Sequence, residues 1–89
     1  MNDKIIERNL TLVAEVTRFV LQNPSILDRL PANFQLILLP ENDPDLSLYN
    51  LGLLSTYAEQ NTPLVMVRFD SAPINFEHNP PQLYIPLAA

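Results

Sequence analysis

The sequence has no cysteine, no tryptophan, one glycine and one histidine among its 89 residues. Without cysteine, the chain has no disulfide, no thiolate metal ligand and no thiol nucleophile. The single glycine, Gly52, excludes the P-loop and the G-x-G-x-x-G dinucleotide pattern, which both need several glycines. The single histidine, His78, has no second histidine for a metal pair. We therefore expect no cofactor and no enzymatic activity.

A general base is the one catalytic role that His78 could fill, with Glu77 or Asp70 to orient it. The histidine lies in the polar segment Glu77-His78-Asn79-Pro80, which favours an exposed loop. No serine lies in the G-x-S-x-G context of a nucleophile elbow. The pattern favours an exposed loop histidine over a catalytic one.

Basic residues are few, and acidic residues outnumber them ten to five, so the net charge is -5. The five basic residues are scattered, whereas phosphate binding requires clustered Lys and Arg. We expect no nucleic-acid partner, and a basic protein is the favoured kind of partner. Asp3, Lys4, Glu7 and Arg8 interrupt the apolar core that a signal peptide needs, and no apolar run reaches membrane-spanning length. We expect a cytoplasmic protein with no membrane contact.

Apolar residues make up 47% of the chain and charged residues only 17%. A chain this short buries only about 60–65% of its unfolded surface, so part of this apolar content is expected to meet another surface. Nine prolines are present. Five of them punctuate the first part of the chain, and four lie after Asp70. This distribution predicts a compact domain over residues 1–70 and a proline-rich apolar tail over 71–89, docked or swapped between subunits.

Hydrophobic periodicity predicts two long helices and two strands. The predicted elements are helices over Asn2–Gln22 and Pro44–Gln60, strands over Phe34–Leu39 and Leu64–Phe69, and a short helix that Ser25 caps and Pro31 ends. Asp43 is expected to cap the second long helix, with Pro44 in its first position. A strand, a helix and a strand in this order predict a right-handed parallel βαβ unit. The fold class is therefore α/β, a small α-β-α-β domain with an extended tail.

Particular side chains are expected to face the core. In the first helix these are Ile5, Ile6, Leu12, Val13, Val16, Phe19 and Val20, and in the second Leu46, Tyr49, Leu53, Leu54 and Tyr57. Leu10 falls outside the apolar stripe and Leu21 lies at its edge, which indicates that the first helix is covered on more than one side. Gly52 lies inside the second helix, where close packing on a neighbouring element would explain it.

Both faces of the two strands are apolar, so both need cover. The tail, an additional strand within Gln82–Leu87, or a second copy of the chain could supply it. We predict a homo-oligomer, a dimer or larger, that acts as a protein-interaction module. Its predicted interface residues are Phe76, Leu83, Tyr84, Ile85 and Leu87. A further hypothesis is an antitoxin-like inhibitory subunit whose apolar tail orders on its target.

Four acidic residues follow the two strands: Glu41, Asp43, Asp45 and Asp70. Because the carboxyl ends of parallel strands lie at one edge of a sheet, these residues are candidate ligands for a divalent metal such as Mg²⁺. The alternative function is thus a small-ligand or metal-binding domain. The simpler interpretation is that the two acids near Pro44 serve the start of the helix while the other two are solvated loop residues, and the sequence favours it.

Arg68 interrupts an otherwise apolar strand. It is expected to form an ion pair with Glu41, Asp43, Glu59 or Asp70, or alternatively to face an anionic ligand.

Four segments stand out together: ERNL at residues 7–10, LPENDPDL at 39–46, NL at 50–51 and PLVMVR at 63–68. In these segments the chain resembles a family of small prokaryotic proteins known only as a domain of unknown function. The resemblance covers about residues 2–70. It implies a similar compact α/β domain and no particular activity, substrate or site residue.

Overall fold

The structure is a computed structural model that describes residues 3–85, with side chains from residue 4 onward. Its elements, in chain order, are α1 Asp3–Leu21, α2 Pro24–Leu27, β1 Gln35–Pro40, α3 Pro44–Leu51, α4 Leu54–Glu59, β2 Leu64–Phe69 and β3 Gln82–Tyr84. Within this part of the chain, none of the helices has the length and apolar content that a membrane crossing requires. Asn2, where the first helix is predicted to begin, and the predicted interface residue Leu87 lie outside the described residues.

The three strands form one mixed sheet in the order β1-β2-β3. β1 and β2 are parallel and in register from Gln35 opposite Leu64 to Pro40 opposite Phe69. β3 pairs with β2 in antiparallel orientation, with Val67 opposite Leu83. The predicted α/β class and the parallel pair are confirmed. β3 lies within the segment in which the sequence allows an additional strand.

The core lies between α1 and one face of the sheet. Side chains alternate across a strand, so Val65, Val67 and Phe69 of β2 share a face, and all three are buried. Val16 and Val20 of α1 pack into the same cluster, together with Leu38 of β1. The buried stripe of α1 therefore follows the predicted helical period. Ile6 is the exception to the predicted core-facing set, because it is 49% exposed.

The segment after β2 packs against this same core in its own chain. Phe76 lies edge-on to Phe19 of α1 and Phe69 of β2, with ring centroids 5.5 and 5.7 Å apart. Ile74 and Leu83 are partly buried against the cluster. Edge-to-face aromatic pairs of this kind are worth about 0.5–1.5 kcal/mol beyond the area they bury. The segment thus packs against both α1 and β2.

The second long helix of the prediction is two helices in the structure, because α3 ends before Gly52 and α4 begins at Leu54. The Gly52 N–H is shared between the carbonyls of Leu48 and Tyr49, at 3.2 and 3.1 Å, a pattern typical of a helix end. Glycine inside a helix also costs about 1 kcal/mol of helix stability relative to alanine. Expected packing on a neighbouring element does not explain Gly52, since an added Cβ would lie nearest to the carbonyl oxygen of Tyr49, at 3.2 Å.

Two further expectations for the helices are wrong. Tyr49 is 38% exposed, whereas Leu46 is fully buried as expected. α2 begins at Pro24 with Asn23 as its N-terminal cap, so Ser25 does not cap it. Proline has no N–H to lose in the first turn, which explains the earlier start.

Asparagine occupies the left-handed backbone positions of the described chain. Asn33 has φ 57°, and Asn61, directly after α4 and its cap Gln60, has φ 54°. Asparagine tolerates this conformation better than other residues with a side chain. These two residues therefore take positions that glycine commonly fills in other proteins.

Candidate functional site

Asp43 organises the junction between β1 and α3. Its Oδ1 accepts a hydrogen bond from the Leu46 backbone N–H at 3.3 Å, and Pro44 occupies the first helical position. Asp43 Oδ2 accepts hydrogen bonds from Arg8 of α1, from Nε at 3.1 Å and also from an Nη. The hydrogen bond from Arg8 lowers the pKa of the Asp43 carboxyl below its ordinary 3.8, although partial burial opposes the shift. The predicted capping role of Asp43 is confirmed.

Asn9 and Asn50 form a second polar contact between α1 and α3. Each side chain donates its Nδ2 to the Oδ1 of the other, at 3.0 and 2.9 Å. Asn50 also donates to the backbone carbonyl of Leu38 at 2.8 Å. Asn50 is only 2% exposed, so the hydrogen bonds satisfy a polar group that water does not reach.

Two polar side chains of α3, Ser47 and Asn50, cover one end of the free edge of β1. In an edge strand, every second residue directs its backbone N–H and C=O groups away from the neighbouring strand. In β1 the carbonyls of Leu38 and Pro40 point outward in this way. Asn50 binds the first of them, and Ser47 donates its hydroxyl to the Pro40 carbonyl at 2.8 Å. Pro40 has no backbone N–H, so it leaves no unpaired donor on this edge. α3 therefore protects part of an edge that would otherwise be open to pairing with another strand.

The other acidic candidates do not join Asp43. Glu41 and Asp45 are exposed, and Asp70 accepts a hydrogen bond from the Ala72 backbone N–H at 3.0 Å. Within residues 3–85, no three side chains of the Asp, Glu and His type lie close enough together to hold a metal ion. The geometry at this sheet edge is that of a helix cap with an arginine partner.

Arg68 does not form the predicted ion pair. Its Nη2 donates to the side-chain oxygen of Gln82 at 2.7 Å, and its guanidinium lies 6.0 Å from the centre of the Tyr84 ring. The cause is the pairing of β3, which places Gln82 directly opposite Arg68 in the sheet. Asp43, one of the four carboxylates expected as partners of Arg68, is instead bound by Arg8.

Comparison with known proteins identifies the family. The model of a family of unknown function, DUF5647, matches residues 4–76. The chain belongs to this family. The searches with this chain found no matching curated protein and no matching solved structure. The matched range contains all four residues of the two polar contacts between α1 and the start or body of α3: Arg8, Asn9, Asp43 and Asn50.

The residues of the two contacts were only partly visible in the sequence. Pro44 directly after Asp43 predicts the helix cap, whereas the predicted elements assign no role to Arg8, Asn9 or Asn50. A signal was present, because Asn50 lies four residues after Leu46 and so on the core-facing side of the helix. A polar residue at such a position indicates a buried hydrogen-bonding partner elsewhere in the chain.

The predicted interface residues have different positions in the fold. Phe76, Leu83 and Ile85 are partly buried against the core of their own chain. Tyr84 is 46% exposed. His78 is exposed, as expected, and its backbone N–H donates to the Asn75 side chain at 3.4 Å. That these residues form an interface between subunits stays a prediction, with Tyr84 the most accessible of those described.

An open groove of about 370 Å³ lies between α1 and the α3–α4 crossover. Its lining includes Asn9 and Val13 of α1, Leu36 of β1, Asn50 of α3 and Tyr57 of α4. The two asparagine side chains are hydrogen-bonded to each other and not directed into the groove as a free pair. The arrangement holds the helices in place and provides no nucleophile with an adjacent base.

Proposed function

We propose that this protein is a non-catalytic interaction module that self-associates into a homo-oligomer. The apolar surface left uncovered by the fold carries this proposal. In the described part of the chain, eight large apolar side chains are between 38 and 71% exposed: Ile6, Leu10, Leu21, Leu27, Leu48, Tyr49, Leu51 and Tyr84. Single exposed leucines are ordinary on protein surfaces, whereas grouped ones are typical of contact surfaces.

The exposed apolar side chains are grouped by element. Ile6, Leu10 and Leu21 lie on α1, while Leu48 and two neighbours lie on α3. The polar groups that the fold brings together, Arg8 with Asp43 among them, are hydrogen-bonded within the chain. These polar side chains thus have partners within the chain, whereas the apolar side chains named above remain exposed, which supports a surface that meets another protein. The net charge of -5 favours a basic surface on any partner other than the chain itself.

Size-exclusion chromatography with light scattering tests self-association directly. Across about 1–500 µM protein, a range that spans weak to moderate affinities, we expect the mass to rise with concentration. It should reach at least twice the 10.1 kDa of one chain. A constant mass of one chain throughout this range would contradict the proposal.

A further inference from the structure

A row of exposed side chains runs along α1 beside its buried stripe. The row consists of Ile6, Leu10, Ala14, Thr17 and Leu21, all of them exposed. Successive members are four, four, three and four residues apart, so they lie within an arc of about 80° on a helix of 3.6 residues per turn. The row is about 22 Å long at 1.5 Å per residue. We call it the α1 row.

We propose that two copies of the chain pair through the α1 row, with their α1 helices antiparallel. This inference rests on the proposed self-association and names the surface responsible for it. The row is self-complementary about a two-fold axis near its middle. Ile6 then lies opposite the partner's Leu21, and Leu10 lies opposite the partner's Thr17. Ala14 lies next to the axis, where a small side chain allows helices to approach closely.

Charged residues beside the row distinguish antiparallel from parallel pairing. Glu7 and Arg18 flank the α1 row on the same side of the helix, about 20° apart at 100° per residue. Antiparallel pairing brings Glu7 within about two residues, or about 3 Å along the axis, of the partner's Arg18. Parallel pairing would place each Glu7 at the level of the other. Opposite charges therefore meet twice in the antiparallel dimer and not in the parallel one.

Both charged side chains are accessible for such contacts. Among the described residues, the Glu7 carboxylate has no ion-pair partner, and Arg18 reaches only Glu15 of its own helix, at 3.4 Å. The Arg18 side chain is 65% exposed. An exposed pair between neighbours on one helix is weak, so the guanidinium is free to contact a second carboxylate as well.

The α1 row continues beyond the end of α1. Leu27 of α2 is 45% exposed, and together with Leu21 and Thr17 it lines an apolar groove of about 110 Å³. This groove extends the apolar surface toward Leu30 and Leu83. A surface built on one helix pair is at the small end of specific interfaces, below about 1,200 Å² in total. We therefore expect a reversible dimer whose population depends on concentration.

A matched pair of substitutions tests the surface. Leu10→Glu places a charge within the α1 row, one turn before Ala14, and Leu48→Glu makes the same change on α3, where the leucine is 71% exposed. We expect Leu10→Glu to raise the dimer dissociation constant about tenfold or more, because a charge at the centre of a contact is poorly tolerated. Leu48→Glu should leave it within about threefold. Circular dichroism should show that both variants stay folded.

Charge exchange tests the orientation. Glu7→Arg and Arg18→Glu should each weaken the dimer, and the double variant Glu7→Arg/Arg18→Glu should recover most of the wild-type affinity. A double variant that stays as weak as the single variants would overturn antiparallel pairing.

Cysteine cross-linking gives an independent measure of orientation, because the natural chain has no cysteine. On mixing Ile6→Cys and Leu21→Cys proteins under oxidising conditions, we expect disulfide-linked dimers that contain one of each. Dimers formed by Ile6→Cys alone, at the same rate, would contradict the proposed orientation.

The outcomes separate this inference from the proposed function. A wild-type protein that remains monomeric overturns both. A wild-type protein that self-associates while Leu10→Glu does so equally well retains the proposed function and overturns the α1 pairing alone.

Discussion

Asn9 of α1 and Asn50 of α3 face each other and exchange two hydrogen bonds between their side-chain amides. Asn50 uses its other N–H to bind the Leu38 carbonyl on the outer edge of β1. One buried side chain thus joins the first helix, the edge of the sheet and the crossover helix. The contacts are 41 and 12 residues apart in sequence, so they report the assembled tertiary fold rather than local structure.

Asn50→Ala should destabilise the protein strongly. It leaves the Leu38 carbonyl without its side-chain partner, and it removes both bonds to Asn9. An unpaired buried polar group costs about 1–3 kcal/mol, so we expect a loss of about 2–3 kcal/mol in the free energy of unfolding. Urea denaturation followed by circular dichroism measures it. Asn79→Ala, at an exposed asparagine, is the control and should change stability by less than about 0.5 kcal/mol.

The pairing of the two amides predicts a coupling between them. Asn9→Ala should cost less than Asn50→Ala, because Asn9 is only partly buried and makes no bond to the sheet. The double variant should lose less stability than the sum of the two single variants, by about 0.5 kcal/mol or more. Strict additivity in the same denaturation experiment would show that the amide pair does not contribute as a unit.

Because of the Asp43–Arg8 contact, we expect the free energy of unfolding to fall in acid. Arg8 lowers the pKa of Asp43 in the folded protein, so protonation of this carboxyl favours the unfolded chain. The stabilisation by Asp43 is present above its unfolded pKa and is lost as the pH falls through the lower, folded value. We expect Asp43→Asn to lose less stability than the wild type between about pH 5 and pH 2, measured by denaturation at each pH.

Asp43→Asn also has a defined effect at neutral pH. Asparagine still caps a helix, but the charge that binds Arg8 is gone. Because this pair is partly exposed, we expect a cost of no more than about 1 kcal/mol at pH 7. Arg29→Ala, at an exposed arginine that forms no ion pair among the described residues, should keep the acid sensitivity of the wild type. An equal loss of that sensitivity in Arg29→Ala would contradict the role of Asp43.

Phe76 and Tyr84 provide a comparison of two aromatic residues in the same C-terminal segment. Phe76→Ala removes both edge-on contacts with Phe19 and Phe69, and we expect it to cost about 2–4 kcal/mol, somewhat below a fully buried phenylalanine. Tyr84→Ala, at a half-exposed residue, should cost less than about 1.5 kcal/mol. Thermal denaturation of the two variants tests this order, and the reverse order would show that the segment does not pack as described.

Asn61 tests the use of asparagine at a left-handed position. With φ at 54°, Asn61→Gly should preserve stability, whereas Asn61→Val should lower it by about 1–2 kcal/mol. The same pair of changes at Gln60, whose φ is -87°, should not show this preference for glycine. The measurement is the midpoint of thermal unfolding of all four variants.

The sequence predicts most of the helices and strands, because apolar runs, prolines and helix caps act on residues that are close together in the chain. β2 has the predicted bounds, Leu64–Phe69, since an apolar run between Pro63 and Asp70, interrupted only by Arg68, allows only a short strand. Asp43 and Pro44 start α3 as expected. The sequence does not predict the break at Gly52, because the hydrophobic period continues across it and outweighs the weak preference of glycine against helix.

The partners of polar side chains could not be predicted in the same way. The sequence showed Arg68 and four candidate acids, but it could not show that β3 would place Gln82 opposite Arg68 or that α1 would bring Arg8 to Asp43. Each of these pairings depends on which helices and strands become neighbours when the chain folds. Such neighbours depend on the whole set of packed elements and not on spacing along the chain.

The sequence by itself determined the apolar excess, the acidic charge and the lack of cysteine, glycine and histidine motifs, because these follow from composition alone. Tertiary structure decided which apolar side chains the chain covers for itself. Packing of the segment after Asp70 onto the core partly buries Phe76 and Leu83, whereas Leu10 and Leu21 of α1 remain exposed. A helix can turn only one stripe toward its own core, so a second row of apolar side chains on it stays exposed.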